Sequence, residues 1–102
     1  MTPVGRLRVG PATVPRLAPG VRLQRDAARE GRWLVQAPER VLVPDAIAAA
    51  VLRRCDGRSS VAALAAALAG EYAAPRAVVE SDIVELLQDL ADKGIVTDAR
   101  SP

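Results

Sequence analysis

The sequence predicts an α+β domain of the winged helix-turn-helix type, a three-stranded antiparallel sheet followed by a three-helix bundle. Two patterns predict it. Between residues 21 and 43, three short apolar-containing runs, the first alternating apolar and polar, are broken by turn residues, the mark of short strands. Between residues 45 and 94, apolar residues recur at helical spacing in three stretches. A third observation bounds the answer: 102 residues is a single domain's worth of chain.

Met1 to Val14 holds Pro3, Gly5, Gly10 and Pro11 among arginines and has no sustained period. It is expected to be a flexible tail or a linker from a neighbouring domain. Pro15 to Gly20 is Pro-punctuated and ends on the turn pair Pro19-Gly20. Val21 to Arg25 alternates and is the first strand. Arg32 to Gln36 is the second, with Trp33 and Val35 on one face and Leu34 on the other. Pro38-Glu39 suits a type I turn, because proline presets the backbone at its first central position. Val41 to Val43 is a short third strand, ended by Pro44, which cannot donate to a ladder.

Asp45 is placed to cap a first helix that runs to about Cys55 and buries Ile47, Val51, Leu52 and Cys55. Asp56-Gly57 breaks it. Ser59 or Ser60 caps a second helix with the stripe Val61, Leu64, Ala65 and Leu68. Pro75 opens the third helix as a first-turn proline, and Gly94 closes it. Its apolar stripe is Val79, Ile83, Leu86, Leu87 and Leu90. Thr97 to Pro102 is expected to fray. The domain is thus expected over residues 15–96, flanked by tails 1–14 and 97–102.

Several function classes are disfavoured. The chain has no histidine to act as a general base, and no P-loop or GxGxxG. Its one cysteine, Cys55, lies on a helix's apolar face and is expected to be structural. Neither a metal site nor a cofactor site is expected, and no apolar run reaches the ~18 residues of a membrane helix. The expected compartment is the cytoplasm. The net charge of +2 implies neither nucleic acid nor a membrane partner.

The third helix would be the DNA-reading helix of a winged-helix regulator. It carries Glu80, Asp82, Glu85, Asp89 and Asp92 against Lys93. Carboxylates there would meet phosphate repulsion instead of releasing counterions. Peptide recognition fits better. An open three-stranded sheet leaves an edge that can accept another strand. The third helix is also apolar over a wide arc. With Val84, Leu87 and Ala91 counted, the arc spans roughly 160°, against the ~100° of a single core contact. The alternative is that Val84 and Ala91 are tolerated on the surface or pack on the first helix.

The run from Pro15 to Asp26 resembles the opening of the pyrroloquinoline quinone biosynthesis protein D family. The hairpin Arg32 to Val41, the Asp56-Gly57 break, the Ser59 start and the ending Asp82-Ile83 to Gly94-Ile95-Val96 are similar too. The resemblance implies a non-catalytic peptide chaperone. It implies binding of the ribosomal precursor peptide and its presentation to a radical S-adenosylmethionine enzyme. By that resemblance the peptide adds as a strand beside Val41, Leu42 and Val43 and packs on Val84, Leu87 and Ala91, with Arg40 meeting an acidic peptide residue. Trp33 is expected in the core under the sheet. The competing readings are a DNA-binding regulator and an accessory domain of a larger biosynthetic enzyme.

Overall fold

The computed structural model describes residues 7–100. The expected order of sheet then helices holds. Strands β2 (Arg22–Asp26), β3 (Arg32–Ala37) and β4 (Arg40–Leu42) form an antiparallel sheet in the order β2-β3-β4. Helices α1 (Ala46–Arg53), α2 (Val61–Tyr72) and α3 (Arg76–Asp92) follow. The register stacks Leu23, Val35 and Leu42 across one face of the sheet. Val35 at its centre is 1 % exposed, and the flanking pair pack against the same core. That core is completed by Val51 and Leu52 of α1, the full expected stripe of α2, and Ile83, Leu87 and Leu90 of α3.

Helices α1 and α2 start where a side chain can satisfy one of the first free N–H groups. Asp45 accepts from the Ala48 N–H at 2.7 Å, and Ser60, not Ser59, accepts from Ala63 at 3.1 Å. Pro75 stands one position earlier than expected, as the cap of α3, and supplies no side-chain bond there. α1 ends at Arg53, so Cys55 lies just beyond it; the thiol is buried and donates to the Val51 carbonyl. Burial and the neighbouring Asp56 carboxylate push its pKa up to about 12, which makes it a poor nucleophile. α2 ends on Ala73 at φ 51°, a left-handed position usually given to glycine.

Parts of both expected tails, at 7–14 and 97–100, are packed against the domain. β1 (Pro15–Leu17) pairs antiparallel with β5 (Val96–Asp98), setting Pro15 against Asp98 and Leu17 against Val96. Pro15, Val96 and Asp98 are buried, and the Arg100 guanidinium, hydrogen-bonded to Asp98, holds that carboxyl below its ordinary pKa. Upstream, Val9 is buried in the main core. The Gln88 side chain grips this segment: its Oε1 accepts from the Val9 N–H at 2.8 Å and its Nε2 donates to the Leu7 carbonyl at 2.9 Å. The carbonyls of Pro11 and Thr13 accept from Ala62 and Val61 at 3.0 and 2.8 Å, completing the N-terminal cap of α2. Those parts of the expected tails that lie at 1–6 and 101–102 fall outside the described residues.

Two side chains of the expected core lie elsewhere. Ile47, in the first turn of α1, is 58 % exposed. Trp33 is half-buried, with the Arg25 and Arg53 guanidinium carbons 4.6 and 5.2 Å from its ring centroid. Arg25 is its cross-strand partner, so the ring is held between cations at the margin of the core.

Candidate functional site

β4 is the last strand of its sheet among the described residues, with β3 on one side only. Its two-residue Pro38-Glu39 turn makes Ala37 and Arg40 the first facing pair. A two-residue loop makes that pair a hydrogen-bonded one, and antiparallel ladders alternate from there. Leu42 therefore turns its N–H and C=O toward β3. Val41, and Val43 beyond it, turn theirs to the open side. Their side chains are 58 % and 51 % exposed, while Leu42 packs inward. The edge thus offers free backbone groups at Val41 and Val43.

Beyond β4 the chain passes through Val43 and Pro44 to Asp45, which lines an apolar groove of about 370 Å³. One wall is α1, with Ile47 and Val51. The other is α3, with Val79, Asp82, Ile83 and Leu86; Leu68 and Tyr72 of α2 close it. Val79 and Leu86 are half-buried and Ile47 and Tyr72 exposed, so the groove is both apolar and reachable. The lining includes two aspartates and no basic residue.

The sequence-predicted flank does not line this groove. Leu87 is fully buried at 0 % exposure, a core residue with no surface to offer. Val84 and Ala91 share the helix face of Gln88, at i, i+4 and i+7. That is the side where Gln88 holds Leu7 and Val9, and both residues pack partly against the core. The free flank is the opposite one, carrying Val79 and Leu86. Sequence reasoning missed Ile47 as a groove residue. The only available signal was an isoleucine in the first turn of a short helix, ahead of a stripe already sufficient for the core. Arg40 stands exposed at the start of β4, as expected.

α3 presents Ser81, Glu85, Asp89 and Asp92 to solvent, and Lys93 is tied to Asp89 at 2.9 Å. Among the described residues no cluster of His, Cys, Asp or Glu could hold a metal ion. No helix among them is long and apolar enough to cross a membrane.

Known proteins share this arrangement. The family described as "Coenzyme PQQ synthesis protein D (PqqD)" matches residues 32–96. A relative from Rhodopseudomonas palustris (strain TIE-1) named "PqqA binding protein" is 50 % identical over 95 residues, 93 % of this chain and 92 % of the relative. One of the same name from Gluconobacter oxydans (strain 621H) is 41 % identical over 88 residues, 86 % of this chain and 91 % of its own. Among solved structures, the PqqD truncation of Methylobacterium extorquens PqqCD aligns with a TM-score of 0.75 at 39 % identity, covering 87 % of this chain and 94 % of that one. That structure is described as a functional and stand-alone recognition element for ribosomally synthesized and post-translational modified peptides. PqqD from Xanthomonas campestris aligns with a TM-score of 0.52 at 42 % identity, covering 83 % and 93 %. The match runs from the β3–β4 hairpin through the whole of α3 into β5, the elements that build the edge and the groove, and the chain belongs to the PqqD family.

Proposed function

We propose that this protein is a non-catalytic peptide chaperone of pyrroloquinoline quinone biosynthesis. It binds the ribosomal precursor peptide in the cytoplasm and presents it to a radical S-adenosylmethionine enzyme. The observation that carries the reading is the open edge of β4 leading into an apolar groove, in a chain of the PqqD family. The relatives' name, PqqA binding protein, supports the choice of guest. The precursor adds as a strand beside Val41 and Val43, with Arg40 at one end, and sets its apolar side chains on Ile47, Val79 and Leu86. Backbone pairing supplies register, and the groove supplies affinity and selectivity. The acidic exposed face of α3 argues against nucleic acid as the guest.

The test is titration of fluorescently labelled PqqA peptide into the wild-type protein and the Val41→Pro and Leu86→Glu variants. Val41→Pro removes an outward N–H and leaves the inner ladder intact, a position where edge strands tolerate proline. Loss of one net hydrogen bond, together with the ring's bulk at the edge, should weaken binding about tenfold. Leu86→Glu places a charge under the bound peptide and should weaken it more. If both variants keep the wild-type circular dichroism spectrum and bind PqqA normally, the site is wrong.

A further inference from the structure

The charges along the proposed peptide track are asymmetric, although Glu39 adjoins Arg40 in the β3–β4 turn and Arg32 of β3 lines a second cleft with Trp33, Val43 and Asp45. At one end stands Arg40, exposed, with no ion pair among the described residues. At the other, where β4 gives way to α1, stands Asp45; its Oδ1 caps α1 through Ala48, and no bond to its second oxygen occurs among the described residues. Asp82 adds a second carboxylate from the facing wall of the groove; it is exposed and has no ion pair among the described residues. Every other groove residue is uncharged.

From this we infer that the site reads the direction of its guest by charge, and that the bound stretch carries a lysine or arginine near Asp45 and Asp82 and an acid near Arg40. The inference rests on the peptide-binding reading above. Asp45 lies five positions beyond Arg40, about 17 Å of extended chain at ~3.3 Å per residue. Antiparallel pairing is the more favourable addition to an edge. A guest antiparallel to β4 meets Asp45 first and Arg40 last. The basic residue must therefore precede the acidic one, by about five positions. A peptide inserted backwards would set its acid against two carboxylates and its base against a guanidinium, so the same charges that attract one orientation repel the other.

Double-mutant cycles with labelled PqqA test this. Asp45→Asn removes the charge but keeps the cap, because asparagine caps as well as aspartate. Asp82→Asn and Arg40→Gln remove the other charges, and each Lys, Arg, Asp and Glu of the peptide is replaced singly by alanine. At low salt each protein variant should weaken binding roughly two- to fivefold, the range of exposed ion pairs. Asp45 and Asp82 should couple to one basic peptide residue, and Arg40 to an acidic one about five positions toward the C-terminus. If PqqA fails to bind the wild type, the peptide-binding reading falls and this inference with it; if it binds Val41→Pro normally, strand addition at β4 is wrong and the charge polarity falls with it. If Val41→Pro loses binding but Asp45 and Asp82 couple to no basic residue, or the coupled acid precedes the base, strand addition stands and the charge polarity is wrong.

Discussion

Ile47 and Leu87 exchange the roles their sequence positions suggest, and that exchange can be measured. Ile47→Ala removes three carbons from a residue that is 58 % exposed in the free protein. At about 0.8 kcal/mol per buried carbon, weighted by that exposed share, covering it with peptide contributes about 1.4 kcal/mol. The variant should bind PqqA about tenfold more weakly. Its stability should fall by about 1 kcal/mol or less, because less than half of the side chain is packed beforehand. Leu87→Ala should do the reverse. The side chain is fully buried, so its truncation should cost about 2–5 kcal/mol of folding stability. The fraction that remains folded should bind PqqA with an affinity near that of the wild type. Urea unfolding followed by circular dichroism reads the first quantity, and fluorescence anisotropy at a temperature where both variants are folded reads the second. Unchanged affinity in Ile47→Ala, or a folded Leu87→Ala that has lost PqqA, would refute the placement of the groove.

Three further outcomes follow from geometry already described. Leu42→Pro deletes an N–H that faces β3, so unlike Val41→Pro it should lower the melting temperature as well as binding; equal melting temperatures would overturn the assigned alternation of β4. Ala73→Gly relieves a left-handed backbone position at the end of α2 and should stabilise by about 1 kcal/mol, raising the melting temperature by roughly 4 °C or more. Cys55 has a folded pKa raised to about 12 from 9.0, so its contribution to stability is complete below the unfolded value and is lost as pH climbs from there toward the folded one. Chemical denaturation between pH 8 and pH 11 should show a decline that is smaller in Cys55→Ala; identical slopes would refute it.

The sequence made some of this legible and hid the rest for physical reasons. The α2 stripe Val61, Leu64, Ala65 and Leu68 is buried as its spacing demands. The β2–β3–β4 meander is legible because Leu23 lies between Arg22 and Gln24, and because the Pro38-Glu39 turn and Pro44 mark off the strands that follow. β1 and β5 escape such reading because three residues contain too little alternation to register, and their partner is some eighty positions away. The open edge at Val41 and Val43 could be foreseen from the brevity of β4 and the proline after it. The groove could not, because periodicity identifies an apolar arc on α3 but not which margin of it stays uncovered. That depends on Gln88 drawing Leu7 and Val9 over the Val84–Ala91 side, a contact spanning nearly the whole chain.

The pairing of β1 with β5 also bears on how this domain can be joined to other proteins. Pro15 lies opposite Asp98, and the Ala99 N–H donates to the Val14 carbonyl at 2.7 Å. The C-terminal strand therefore finishes beside the point where the N-terminal strand begins, and neither belongs to the groove or the β4 edge. A linker leaving from β5 starts away from the guest peptide and need not cross it. Tethering an enzyme there would turn peptide delivery into an encounter within one molecule, at an effective concentration set by linker length instead of by the cellular level of either protein.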